Sequence, residues 1–386
     1  MRQFTRYGLA AGMAAVLAWG LAGCGGNDSL PAKSSVTKVY VMGDSLADVG
    51  TFGLKFTVQD ASNPRGFPIW PQIVAGNFGL DALAQCNFYS LNYPSGTVRA
   101  APNAACTNFA IGGGRIVAGA SNGGATSPLN VGVQMAQKAA LGAYTATDLV
   151  LIDGGGNDAA DLVGKFLKAA QGATDDVTAY QSFLLQQLSP AALTGIMTTY
   201  GAVNGPGVAA GAYMQALANT YYESIRTNVL GNGATKVAVL NMPDITVTPR
   251  FQMVLASLGT SGPAVQTAIR QWITAFNTQL KTNIANDSRV ALVDFYYDIG
   301  DEVANPASYA LTNATLPACP ATGVGTDGLP TYDFPTCTST ALDATSGKTA
   351  GWWKTYAFSD GFHPTPMAHG LLASSVARAL ARAGWL

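Results

Sequence analysis

Five short apolar runs, at 36–42, 107–111, 149–153, 236–241 and 290–295, constrain the fold of this chain more than any other feature. Each is continuous rather than alternating in hydrophobicity, the pattern of a strand buried on both faces. Stretches with helical patterning lie between and after them, at 131–141, 158–170, 209–230, 263–286 and 366–383. Strands that alternate with helices build a parallel sheet, because each crossover helix packs back onto a sheet face. The expected architecture is α/β, a three-layer α/β/α sandwich around a five-stranded parallel sheet.

The chain has 386 residues, 48% of them hydrophobic and only 11% charged, enough to bury a large core. Its formal net charge is −1 and it has no long basic run, so it carries no electrostatic footprint for nucleic acid. The expected partner is a small or apolar molecule.

Arg2 and Arg6 precede an apolar stretch at 9–22 that is too short and wrongly flanked for a spanning helix, and 1–23 reads as a signal peptide. The stretch ends in Leu21-Ala22-Gly23-Cys24. That tetrapeptide resembles the bacterial lipoprotein box, which implies a lipidated Cys24 as the new N-terminus, and Gly25 after it implies the outer membrane. Cleavage by the ordinary signal peptidase is the alternative. Residues 24–35 read as the lipidated cysteine and a flexible tether, and 36–386 as one folded body. No later apolar run reaches the length of a span. The expectation is an exported lipoprotein held to the membrane only by its N-terminal lipid anchor.

Cys86, Cys106, Cys319 and Cys337 remain, an even number that favours disulfides in an exported protein. Three pairings are open. Cys86 with Cys106 and Cys319 with Cys337 is the expected one, since each bridge closes a local loop within a Gly/Pro/Asn-rich segment. The spacings do not match a zinc site, and His363 and His369, the only histidines, show no His-Glu-x-x-His pattern, so no metal or other cofactor is expected.

The first apolar run stops at Gly43-Asp44-Ser45-Leu46, a small polar turn where an α/β enzyme can display a nucleophile. A serine hydroxyl needs a base within hydrogen-bond reach and a third group to orient that base. Asp360 precedes His363 by three residues, so on one turn its carboxylate reaches the imidazole. A tetrahedral oxyanion needs donors, and the N–H groups of Ser45 and Gly113 with the side-chain amide of Asn157 are the candidates. Ser45, Gly113 and Asn157 all follow predicted strands, at the edge where such sheets bind ligands. Asp44, Asp48 and Asp158 read as turn and cap carboxylates.

These blocks resemble the GDSL, or SGNH, hydrolase family. Gly43-Asp44-Ser45-Leu46 is similar to its nucleophile block, Gly113 to the second, Gly155-Gly156-Asn157-Asp158 to the third and Asp360-Gly361-Phe362-His363 to the last. Asn241-Met242-Pro243-Asp244 and Thr248-Pro249 also look like that family's exit from the fourth strand. The choice of Gly113 among Gly112, Gly113 and Gly114 rests on counting from Asn108 in the family pattern, with Gly112 as the alternative. The resemblance implies a flavodoxin-like sheet and a serine esterase or lipase that cleaves a small-molecule or lipid acyl ester through an acyl-enzyme. Ser45, His363 and Asp360 would be its triad. An acyltransferase of the same family and a surface binding protein on an inactive scaffold are the alternatives.

The stretch 298–358, rich in Gly, Pro, Thr and Asn, reads as a loop insertion or lid expected to govern substrate choice. Trp352, Trp353, Tyr356 and Phe358, just before Asp360, either line a pocket or pack beneath the long loop.

Overall fold

Val-, Leu- and Ile-rich segments with no polar face can be satisfied only inside a sheet covered on both sides, and that is where they lie. A computed structural model of the chain describes residues 36–92, 97–99 and 103–386; the expected signal peptide 1–23, the tether 24–35 and Cys24 lie outside them. In chain order the strands are β1 (Lys38–Met42), β2 (Ser90–Asn92), β3 (Thr97–Arg99), β4 (Asp148–Ile152), β5 (Val237–Leu240) and β6 (Val290–Val293), then β7 (Asn313–Pro317), β8 (Gly323–Val324), β9 (Pro330–Thr331) and β10 (Tyr356–Phe358). The central sheet has the order β1-β4-β5-β6 and is parallel throughout. Its register sets Met42 beside Ile152 and Leu240 beside Val293, which brings the carboxyl ends of all four strands to one edge.

Side chains alternate between the two faces. Met42, Val150, Ile152 and Val239 enter a core beneath α2 (Val131–Ala140), α3 (Gly156–Ala169), α5 (Pro190–Ile225) and α7 (Gly262–Ile284). Val41, Leu149, Leu151 and Val293 enter the opposite core, beneath α1 (Trp70–Asn77), α8 (Phe295–Ala304) and α10 (Pro366–Arg382). Val41, Leu149, Val150 and Leu151 are wholly buried, each worth ~1.5–3 kcal/mol relative to exposure. The three layers are those expected; the sheet is smaller by one strand.

The expected second strand, 107–111, runs beside β1 without becoming a regular strand. Val41 donates to the carbonyl of Thr107 at 3.0 Å, and Phe109 and Ile111 donate to those of Val41 and Gly43 at 2.7 and 3.2 Å. On the far side the run pairs only at Asn108, whose N–H donates to the Cys86 carbonyl at 3.2 Å and whose carbonyl accepts from the Phe88 N–H at 2.6 Å. The Asn108 Oδ1 accepts from the Ala110 N–H at 2.9 Å and its Nδ2 donates to the Ala47 carbonyl at 2.8 Å. A side chain that binds its own neighbouring backbone competes with sheet pairing in this way.

α4 (Thr174–Leu184), α6 (Pro249–Ser257) and the first half of α5 were not expected. Within α5 only Gly201 leaves helical geometry, at φ 71°, and the chain resumes its helix beyond that kink.

The expected insertion 298–358 begins too early, because 298–304 completes α8. The remainder pairs β7 with β10, carries the β8–β9 hairpin and α9 (Ser339–Asp343), and closes a small third core with Val58, Phe334 and Trp353. Trp352, Trp353 and Tyr356 belong to that core and Phe358 to the α1/α10 core. Disulfides join Cys86 to Cys106 and Cys319 to Cys337. Among the described residues no helix is long and apolar enough to cross a membrane.

Candidate active site

β1 ends at Met42, and the next three residues form a turn held from every side. The Gln134 side chain of α2 accepts from the Gly43 N–H at 2.8 Å and donates to its carbonyl at 3.0 Å. The buried Asp153, at the end of β4, accepts from the Asp44 N–H at 3.3 Å. A β-carbon on Gly43 would lie 1.4 Å from the Asp153 carboxylate, so only glycine fits. Asp44 in turn accepts from the Leu46 N–H at 3.0 Å. Ser45 is thus presented on a braced turn at the carboxyl edge of the sheet.

His363 arrives from the loop between β10 and α10. The Ser359 N–H donates to the His363 carbonyl at 2.7 Å, which closes the loop into a tight turn. Inside it the Asp360 Oδ1 accepts from the N–H groups of Phe362 and His363 at 2.8 and 2.6 Å. The carboxylate also meets the imidazole Nδ1 at 2.9–3.0 Å, and Nε2 lies 2.8 Å from the Ser45 Oγ. One carboxylate therefore shapes the turn and orients the ring. The Phe56 ring stacks on the imidazole at 5.2 Å and Phe334 meets it edge-on at 5.5 Å, which shields it from solvent.

Burial works against charge on both groups, but their mutual attraction prevails. Burial alone would raise the Asp360 pKa; the neighbouring imidazole and two backbone N–H donors hold it below the usual carboxylate value. Burial alone would lower that of His363; the Asp360 carboxylate, with a smaller contribution from Asp44, holds it above the usual 6.5. Behind them burial pushes the Asp153 carboxyl well above its normal range, and the charge of Asp44 adds to the effect.

The three consecutive glycines are not equivalent. The Gly112 N–H donates to the Asp48 Oδ2 at 2.8 Å and the Gly114 N–H to the Ile111 carbonyl at 2.8 Å. The N–H groups of Gly113 and Ser45 have no hydrogen-bond partner among the described residues. Gly113 sits at φ 79°, and Gly114 packs so tightly that a β-carbon would come 2.6 Å from the Gly43 carbonyl. Asn157, in the first turn of α3, donates from Nδ2 to the Gly114 carbonyl at 2.9 Å and reaches the Asp44 Oδ2 at 3.4 Å. Asp158 accepts from the N–H groups of Ile116 and Val117 at 2.9 and 3.0 Å, which ties α3 to the glycine loop. Asp44, Asp48 and Asp158 all receive backbone N–H groups.

Two supporting side chains escaped the sequence. Gln134 is one; its only signal is a polar residue at a core-facing position of α2, between the buried Val131 and Lys138. Arg115 is the other. Its Nη1 donates to the Gly113 carbonyl at 2.5 Å and its Nε to Asp161 of α3 at 2.7 Å, but its position two residues after the glycine carries no motif.

Beside Ser45 and His363 opens a cavity of about 120 Å³. Leu46, Pro243, Ile245, Phe295, Ile299 and Phe362 form its apolar walls. They come from the segments after β1 and β5, from α8 after β6 and from the loop that carries His363, so the parallel sheet gathers them as it gathers Ser45 and Asn157. Trp352, Trp353, Tyr356 and Phe358 are not among its walls; their large apolar rings are used up in core packing.

The chain belongs to the GDSL-like lipase/acylhydrolase family, whose sequence model matches residues 39–376. No curated protein matches it. Membership makes ester hydrolysis the general activity, with a small-molecule ester or lipid as the class of substrate.

Proposed function

We propose that the chain is a serine carboxylic-ester hydrolase, an esterase or lipase, that works through an acyl-enzyme. The observation that carries this is the 2.8 Å approach of the His363 Nε2 to the Ser45 Oγ with the Asp360 carboxylate 2.9 Å behind the ring. Ser45 attacks the acyl carbon while His363 takes its proton as general base. The oxyanion that forms is held by the N–H groups of Ser45 and Gly113 and by the second amide hydrogen of Asn157, whose contact to Asp44 is long. Collapse of the intermediate breaks the bond to the alcohol, which leaves with the proton from His363. Water then repeats the sequence on the acyl-enzyme and releases the acid. Asp360 stays ionised throughout, fixes the tautomer and stabilises the imidazolium.

Cys24 is proposed as the lipid-bearing residue of an outer-membrane lipoprotein, with 24–35 as the tether of a single body at 36–386. The support is Leu21-Ala22-Gly23-Cys24 behind a charged, then apolar, leader. Detergent-phase partition tests it: Cys24→Ala should move the protein to the aqueous phase, and continued membrane partition refutes the anchor.

The activity is tested by labelling with a fluorophosphonate and mapping the adduct by mass spectrometry. The expected result is one adduct, on Ser45, formed alongside loss of p-nitrophenyl acetate hydrolysis. Labelling elsewhere, or undiminished hydrolysis by the labelled protein, refutes the mechanism.

A further inference from the structure

We infer that the cavity beside Ser45 is an acyl subsite that admits short acyl groups, of about two to four carbons, and turns longer chains away. The inference rests on the esterase function proposed above and adds to it the side of the ester that is measured and its length.

The chemistry of the walls decides which half of the ester enters. Ile245, Phe295 and Ile299 are all at least nine-tenths buried and offer no hydrogen bond. The other polar side chains at the cavity, outside the proposed triad and oxyanion donors, are already engaged. Thr248 donates its hydroxyl to the Ile245 carbonyl at 2.8 Å, and Asp44 accepts from the Leu46 N–H. A sugar or glycerol placed here would lose hydration without compensation, whereas a hydrocarbon gains from it. The acyl half suits the site for a second reason: it stays bonded to Ser45 while the alcohol departs and water enters, so it takes the apolar recess and leaves the solvent side to the exchanging groups.

Size sets the limit. An apolar cavity of ~150 Å³ accommodates benzene, six carbons, so about 120 Å³ accommodates about five non-hydrogen atoms, the count of a butyryl group. The walls are not free to yield. Phe295 and Ile299 belong to the core under α1 and α10, and Ile245 to the core on the other face of the sheet. Close-packed side chains of this kind resist displacement.

The test is kcat/KM of the full-length protein on p-nitrophenyl esters from acetate to octanoate, beside butyrate esters of alcohols of increasing length. Each methylene up to butyrate should raise kcat/KM, by at most about fourfold, and it should fall at least about tenfold between butyrate and octanoate. Ile299→Ala should move the optimum to longer acyl chains, and Ile299→Phe should move it towards acetate. The alcohol series should vary far less. Rates that stay level or rise to octanoate, or a length limit found only in the alcohol, overturn the inference and leave the esterase function standing. No turnover on any ester, with Ser45 inert to fluorophosphonate, overturns both.

Discussion

The Nε2 of His363 lies 2.8 Å from the Oγ of Ser45, although 318 positions of chain separate them. If the pair acts as a unit, losing either member should cost nearly as much as losing both. Ser45→Ala and His363→Ala are each expected to lower kcat by ~10⁴–10⁶-fold, and the double variant should be no worse. Single-turnover and steady-state rates on p-nitrophenyl acetate check this. Additive losses would show that the two groups serve separate steps.

The charge on Asp360 makes a pH prediction. The proposed mechanism requires the base form of His363, and its pKa is held above 6.5 by that carboxylate. kcat/KM should therefore rise with pH through a midpoint above 6.5 and fall away on the acid side. Asp360→Asn removes the attraction and the correct tautomer together, so it should lower the rate and move the acid limb to lower pH. A midpoint that stays in place would show that another group sets the limb.

Arg115 bridges the Gly113 carbonyl and Asp161 of α3, the helix that also carries Asn157. It does not contact Ser45 or His363, so in the proposed mechanism its role is to position the two oxyanion donors relative to one another. Arg115→Ala should reduce kcat by about tenfold or more with little change in KM, because the oxyanion exists only after attack. Arg115→Lys should recover little, since a lysine cannot span both partners with a planar fork. A loss confined to thermal stability, with kcat intact, would mark the residue as structural only.

His369 offers a stability prediction with a definite sign. It is 1% exposed in the first turn of α10, and neither ring nitrogen has a partner among the described residues. Burial, reinforced by the charges of His363 and Lys55, pushes its pKa down to about 3 from 6.5. The unfolded chain takes up the proton near 6.5 and the folded chain does not. Its contribution to stability is therefore complete above 6.5 and is lost as pH falls towards 3, at up to about 1.4 kcal/mol per pH unit. Urea denaturation between pH 7 and 4 should show a shallower acid loss for His369→Leu than for the parent protein. Parallel curves would contradict the burial of a neutral ring.

The sequence by itself determined whatever depends on local periodicity and local reach. Continuous apolar runs specify strands buried on both faces, and four of the five became the parallel sheet. Asp360 and His363, three residues apart, meet through a turn that their own loop encodes. Cys86 and Cys106, and Cys319 and Cys337, pair across the short loops that contain them.

Tertiary structure alone decided the rest, because it depends on which distant surfaces come into contact. The run at 107–111 pairs on its far side only at Asn108, whose side chain takes the next N–H on that side, that of Ala110. Gly112 and Gly114 spend their N–H groups on partners in the fold, which leaves that of Gly113 unengaged. Gln134 and Arg115 act from elements that no motif links to Ser45. Phe295 and Ile299 reach the cavity because β6 lies two strands away from β4 in a parallel sheet, so its carboxyl end opens on the same edge. A chain's periodicity records which face of an element is buried; only packing determines what that face meets.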